Sequence, residues 1–389
     1  MNVNKICVYA ICKNEIDFVD KWLESMSEAD YIVVLDTGST DGTYEKLLED
    51  PRVHKVVQKE IKPWRFDVAR NESMSLIPED VNICVCTDLD ELFDSGWAEI
   101  LRTKWDSSKH KLAWYKYAWR HDEQGNPIKI FRYEKIHSPD GWAWVYPIHE
   151  NLFYNGEDLI YENVLDVFEE IYLHHYMDDN KSRSSYLPLL ELRKEEFPDE
   201  LQTRVYLIQD YIHNNNALKC LQEAQEALEL FEDSMNSDVK SSIYLFMGDA
   251  ATMLGLTDFA KLSYENAIQA NKKYVEQYVA LASIYMNKRD YASVVSILQK
   301  CLNEANQYYV FFTRAMRCDE LVIYDLLSVA YYNLNDWDNA FLYISKAIVL
   351  NPEDKQIKQN YEVIFNEFAK HLSEKTDNSI LRASSPYEL

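Results

Sequence analysis

The chain has no long uninterrupted apolar run, no paired-cysteine motif and no concentration of basic residues, and each absence removes a class of function. No stretch approaches the ~20 apolar residues of a membrane-spanning helix. The opening residues, MNVNKICVYAICKNE, lack an apolar leader core with a cleavage site. A soluble, cytoplasmic protein is the expectation. Its seven cysteines are odd in number, form no CxxC or metal-knuckle spacing and sit mostly in apolar runs, so they are expected to be reduced core residues. With 40 basic against 65 acidic residues the formal net charge is -25, a balance that repels nucleic-acid phosphates and anionic membrane surfaces.

What is present is the material of a folded protein with two cores. A length of 389 residues exceeds what one hydrophobic core normally serves, and 47% hydrophobic residues are too many for a disordered chain. In the first half, strands alternate with helices. Residues 5–12 (KICVYAIC) and 31–36 (YIVVLD) are continuous apolar strands, followed by polar KNE and by TGSTDGT, a turn that caps the helix beginning YEKLLED. Residues 53–57 repeat the strand pattern, 67–77 the helix, and 81–87 (VNICVCT) a buried strand that runs into DLDE. Strands apolar on both faces imply a parallel sheet covered on each side, and ligands of such sheets bind beyond the carboxyl ends of the strands, where Asp36 and Asp88 fall.

Residues 110–180 change in texture. They are rich in aromatics and read as strands and hairpins with turns at DEQGNP and SPDG. From about 200 to 366 the pattern is helical and repetitive. Tyr244, Gly248, Ala251, Ala260, Tyr264 and Ala267 fall at tetratricopeptide spacing, as do Tyr278, Ala282, Tyr285 and Leu298, and then Tyr324, Tyr331, Trp337, Ala340, Ala347 and Pro352. A degenerate unit from Arg204 through Tyr211 and Cys220 to Ala227 makes four helix pairs, with an insertion near 306–322. The expected division is a catalytic domain over 1–190, repeats over 200–370 and a loose polar tail over 371–389.

The sharpest chemical signal is Asp88-Leu89-Asp90-Glu91, directly after a buried strand. Alternation sends Asp88 and Asp90 the same way, and a hard cation such as Mn²⁺ or Mg²⁺ can bridge such carboxylates to a diphosphate. A solvated acidic turn is the plainer explanation of the same residues. Upstream, Asp36 at a strand end can accept a hydrogen bond from a base imide or a ribose hydroxyl, while Thr40, Asp41 and Thr43 read as ordinary helix-capping residues.

These segments, KNE after the first strand, LDTGSTDGT, FDVARNES and TDLDE, stand in the order and spacing of a family 2 glycosyltransferase, and the resemblance spans roughly residues 5–185. It implies a GT-A fold, a Rossmann-like mixed α/β sheet, ahead of the all-α tetratricopeptide-like superhelix. It also implies an inverting enzyme that uses a uridine diphosphate sugar with Mn²⁺ or Mg²⁺. By this resemblance Ile11, Asn14, Glu15 and Asp36 would line the nucleotide, Asp67 or Arg70 would flank it, and Asp88, Leu89 and Asp90 would serve ribose and metal. Family members with a helical tail also carry a segment like Ile148-His149-Glu150 and a later histidine followed by basic residues. Here these are His174-His175-Tyr176 and then Lys181 and Arg183. That arrangement resembles bacterial glycosyltransferases that modify cysteine or serine in bacteriocin peptides.

His174 is the expected third metal ligand, with Lys181 or Arg183 neutralising the departing diphosphate. The stretch HHYM departs from the relatives' His-x-Gly-Tyr, which leaves His174 and His175 both open. Glu150 is the expected general base, with His149 either orienting it or touching the sugar, and Asp140 in the SPDG turn is its alternative. Trp142 and Trp144 are read equally as sugar-stacking or sheet-packing residues. The expected acceptor is a peptide or protein side chain, and the repeats either dock it or form a homodimer. Two rivals are a transferase acting on a cell-surface glycan or lipid-linked saccharide, and a scaffold whose transferase half is inactive.

Overall fold

Ile6–Cys12 is apolar at every position and buried at every position, which only a central strand covered on both faces permits; it forms β1. The computed structural model describes residues 4–122, 124–155, 159–177, 186–305 and 320–383. The chain divides into two compact units, between Glu196 and Phe197.

In the first unit β1 is followed by α1 (Val19–Met26), β2 (Tyr31–Asp36), α2 (Thr43–Glu49), β3 (Lys55–Gln58), α3 (Phe66–Met74), β4 (Ile83–Cys86), β5 (Glu91–Phe93) and α4 (Trp97–Lys104). The aromatic stretch then supplies β6 (Leu112–His121), β7 (Pro127–His137), β8 (Trp142–Val145), β9 (Asn151–Tyr154), β10 (Val164–Asp166), β11 (Tyr172–His175) and α5 (Tyr186–Glu196). One sheet runs in the order β3-β2-β1-β4-β7-β6-β11-β5, with β10 added to β6; β8 and β9 form a separate ribbon. Strands β3, β2, β1 and β4 are parallel, and β7 then pairs antiparallel with both β4 and β6. The mixed α/β architecture is therefore the one expected. Because the chain leaves β1 for β2 on one side and returns to β4 on the other, the carboxyl ends of β1 and β4 flank a crevice.

Several elements differ in extent from their sequence-based expectation. The helix expected over 67–77 is α3, ending at Met74. The stretch Asp88–Asp90 is no continuation of β4: the Glu91 amide donates to the Asp88 carbonyl at 3.1 Å and closes a turn. Residues 186–196, cut by the boundary expected at 190, form one helix that belongs to the first unit.

The second unit is helical: α6 (Leu201–His213), α7 (Ala217–Phe231), α8 (Ser237–Met253), α9 (Thr257–Ala270), α10 (Val275–Asn287), α11 (Tyr291–Glu304), α12 (Glu320–Asn333), α13 (Trp337–Leu350) and α14 (Lys355–Ala383). Four of its turns are built alike. Asn215, Gly255, Arg289 and Asn335 all take positive φ, and the next amide reaches back to close the helix: Asn216 to Tyr211, Leu256 to Ala251, Asp290 to Tyr285 and Asp336 to Tyr331. The repeated cap marks α6/α7, α8/α9, α10/α11 and α12/α13 as four units of one helix-turn-helix pattern, the first included although its sequence is the most degenerate. Gly248 is required because Tyr264 packs directly where a Cβ would stand. The insertion near 306–322 falls largely outside the described residues. The loose tail expected from 371 is instead continuous with α14 as far as Ala383, since no proline or glycine interrupts the chain between Pro352 and Pro386.

One buried polar chain ties the sheet to the β8/β9 ribbon. Trp144 Nε1 donates to Tyr9 Oη at 3.0 Å, and Tyr9 Oη lies 2.8 Å from His137 Nε2, whose other nitrogen is 2.7 Å from the Ser138 carbonyl. The partners fit a neutral imidazole, and burial pushes His137 down to about 4. Its contribution to stability is complete above the ordinary histidine value and is lost as pH falls through that value towards about 4. Urea unfolding of the parent should therefore show an extra loss of about 3 kcal/mol across this window relative to His137→Asn. Parallel pH slopes for the two proteins would contradict it.

Candidate active site

Asp36 closes β2 with a fully buried carboxylate. Its Oδ1 accepts from the amides of Gly38 at 2.9 Å and Ser39 at 2.8 Å and from Gln58 Nε2 at 3.0 Å, while Oδ2 faces Cys12 Sγ at 3.5 Å. Burial raises this carboxyl, but the donors from Ser39, Gln58 and Gly38 outweigh it and hold it below the ordinary value. Asp36 thus shapes the turn after β2, with Gln58 as a partner the sequence did not single out. Asn14, at φ 56°, is locked to the same turn: its Oδ1 accepts from the Thr40 amide and its own amide donates to Ser39 Oγ, each at 2.8 Å. The Glu15 amide donates to Thr43 Oγ1 at 2.8 Å. Ile11, one residue before the end of β1, is buried. Ile11, Asn14, Glu15 and Asp36 are thus gathered at the carboxyl ends of β1 and β2.

The centre of the site is Arg70, on α3 and 3% exposed. Its Nη2 lies 2.7 Å from Asp88 Oδ1 and its Nε 3.0 Å from Glu150 Oε1, so one guanidinium joins two carboxylates from distant parts of the chain. Burial works against the charge, yet Asp88, Cys86 and Glu150 together hold Arg70 well above its ordinary value. Asp67, on the first turn of the same helix, is instead clamped by Arg65, with contacts of 3.0 and 2.8 Å.

A second buried cation was not anticipated. Lys135 on β7 lies 3.4 Å from Asp88 Oδ2 and 3.7 Å from Glu91 Oε1. Strand parity gave no signal for it, because β7 is bulged: Ala113 pairs with Ile136 and Tyr115 with Tyr133, so the alternation that places Phe131 and Tyr133 does not carry through to Lys135. Glu91, beyond the acidic pair, accepts from Tyr117 Oη at 3.0 Å and from the Asp88 amide at 2.9 Å, which folds the motif into its turn. Leu89 fills the core beneath that turn at 0% exposure.

The two histidines separate because neighbouring positions on β11 face opposite ways. His174 turns to His121, 2.9 Å away, and to Asp94, 3.4 Å away. The imidazole beside Asp90 is His175, with Nε2 3.5 Å from Oδ2, and it stacks near Tyr117. Burial lowers His175, but Asp90 outweighs this and raises it above its ordinary value. The expectation that His174 joins the acidic pair gives way to His175. The expectation that alternation aligns Asp88 with Asp90 gives way to a turn in which Asp88 meets Arg70 and Lys135 while Asp90 meets His175.

Asp140 is exposed at the β7–β8 turn, whereas Glu150 is turned into the site by Arg70. His149 is exposed at φ 50°. Trp142 donates to Ser138 Oγ at 3.1 Å and Trp144 to Tyr9; both are buried, the sheet-packing alternative. Lys181 and Arg183 lie outside the described residues. Among the described residues no three His, Cys, Asp or Glu side chains are grouped as a metal cage, and no helix is long and apolar enough to cross a membrane.

No curated protein matches the chain. Among solved structures, it resembles the MamA protein at 17% identity and TM-score 0.33, over 42% of this chain and 79% of that one. It also resembles a thermophilic TPR protein of Thermus thermophilus, at 15% identity and TM-score 0.32, over 46% of this chain and 88% of that one. YrrB, described as a TPR protein with an unusual peptide-binding site, shares 14% identity at TM-score 0.37, over 48% of this chain and 91% of that one. Residues 7–157, which carry Asp36, Arg70, Asp88, Asp90 and Glu150, match the model of glycosyl transferase family 2, and that match supports a glycosyltransferase.

Proposed function

We propose that the first unit is an inverting, metal-assisted glycosyltransferase that moves a sugar from a uridine diphosphate donor to a peptide or protein side chain. The observation that carries this reading is the bridge Asp88–Arg70–Glu150 at the carboxyl end of the sheet, inside the segment matched to the family. Transfer with inversion forms a bond from the acceptor heteroatom to the anomeric carbon as the bond from that carbon to the diphosphate breaks. The acceptor proton passes to Glu150, whose carboxylate Arg70 holds in place. Arg70 and Lys135 bring positive charge to the side where the leaving group becomes more negative. Asp36 and the Asn14–Thr40 contact shape the strand-end turn against which the nucleoside would lie.

Asp90 and His175 suit an octahedral divalent ion, because nucleotide-site Mg²⁺ or Mn²⁺ needs only one or two protein ligands and takes the rest from phosphate and water. When bound, that ion would supply charge stabilisation to the diphosphate. The peptide acceptor follows from the resemblance to bacteriocin-modifying enzymes and from the fitness of helical repeats for holding a chain segment. A cytoplasmic site and a homodimer through the repeats belong to the same proposal.

Saturating UDP with Mn²⁺ should raise the melting temperature of the protein, on the order of 2–3 kcal/mol of linkage at a hundredfold excess over Kd. Asp90→Ala should remove that rise. No shift in the parent would point to a scaffold in place of an enzyme. Incubation with a panel of UDP-sugars and candidate peptides, followed by intact-mass measurement, tests the acceptor; label appearing only on saccharide would overturn the peptide proposal.

A further inference from the structure

The backbone that delivers Glu150 is held in a costly shape. Tyr146 at φ 84° and His149 at φ 50° both take left-handed conformations that side chains with a Cβ rarely adopt, and they lie within four residues of Glu150. Such conformations persist only where the surroundings over-determine them. The Phe66 amide holds the Pro147 carbonyl at 3.0 Å, and the flanking positions of the turn are held by Arg193 on α5. It is 0% exposed, its guanidinium lies 3.7 Å from the centre of the Tyr146 ring, and its Nη1 donates to the carbonyls of Ile148 at 2.9 Å and His149 at 3.0 Å. A buried guanidinium is expensive. This one is directed at the two carbonyls immediately before Glu150.

The same helix also reaches the other half of the bridge. At its far end Glu196 pairs with Arg65 at 2.5 Å, and Arg65 holds Asp67 on α3, the helix that carries Arg70. Thus α5 fixes both the main chain that presents Glu150 and the start of the helix that presents its partner.

We propose that Arg193 is a positioning residue for sugar transfer: by clamping the Tyr146–His149 turn it sets the Glu150 carboxylate against Arg70. This inference rests on the role given to Glu150 above. A displacement of about 1 Å at a reacting group costs on the order of a hundredfold in rate, so Arg193→Met should lower kcat by about 10- to 100-fold. The KM for the UDP-sugar should stay within about twofold, since the nucleotide end of the site is not held by Arg193. Arg193→Lys, which keeps the charge but not the fork, should recover only part of the rate.

The test is a double-mutant cycle on the full chain, with kcat measured as UDP release for the parent, Arg193→Met, Glu150→Gln and the pair. The rise in melting temperature with UDP and Mn²⁺ serves as a check on folding. If Arg193→Met lacks a cooperative transition, Arg193→Lys takes its place in the cycle. The expected result is a loss that nearly vanishes in the Glu150→Gln background, with the UDP-induced rise retained. An equal loss in both backgrounds, a change in KM alone or no loss would overturn the positioning role while leaving Glu150 as the base. Wild-type turnover by Glu150→Gln would instead remove Glu150 as the base, and the role of Arg193 with it.

Discussion

Glu150→Gln lowers the turnover of sugar transfer by about 10²- to 10⁴-fold, the range expected when a general base is removed. The substitution is close to isosteric, and the amide oxygen can still accept from Arg70 Nε, so the 3.0 Å contact in the parent has a counterpart in the variant. What is lost is the ability to take a proton. Donor affinity should therefore change little, and the defect should appear in kcat. Steady-state UDP release at saturating donor and acceptor measures it directly. If the variant turns over near the parental rate, the base assignment passes to Asp140, which the structure places at an exposed turn.

Arg70→Met has the second large effect, on stability and activity together. Removing one member of a buried ion cluster leaves carboxylates without their counter-charge and typically costs 3–5 kcal/mol. Here the loss should be about 3 kcal/mol, at the lower end, because the Asp88 side chain is 31% exposed and still faces Lys135. Urea unfolding at neutral pH gives that number. Turnover should fall at least as far as in Glu150→Gln, since both Glu150 and Asp88 lose the group that fixes them. Arg70→Lys should not restore it: an ammonium is a point charge, whereas the guanidinium uses two separate nitrogens to reach two carboxylates. A stable Arg70→Met protein with unaltered kinetics would remove Arg70 from the site.

The strands that carry the site were legible because continuous apolar runs such as ICVYAIC and YIVVLD have one structural meaning when turn residues follow them. The repeats were legible for a related reason: small and aromatic residues recur at a fixed period. The connections within the site were not. Arg70 and Glu150 are 80 positions apart, and nothing local to either announces the other. The DLDE motif was read by strand parity, but the Glu91 carboxylate captures the Asp88 amide and bends the chain into a turn. For His174 and His175 parity was the right physics with an unknown phase. Only pairing of β11 with β5 and β6 fixes which histidine faces Asp90. Lys135 was hidden because the bulge between Tyr133 and Ile136 breaks the alternation from which its face would be read.

A crystal structure of the protein with UDP and Mn²⁺ bound would show whether one pocket holds the nucleotide, the ion and the base. The ion should lie beside the Asp90–His175 pair and the uridine at the turn after β2 that Asp36 organises, with Glu150 still held by Arg70. A nucleotide bound away from these strand ends, or an ion ligated by His174 with His175 uninvolved, would contradict that arrangement.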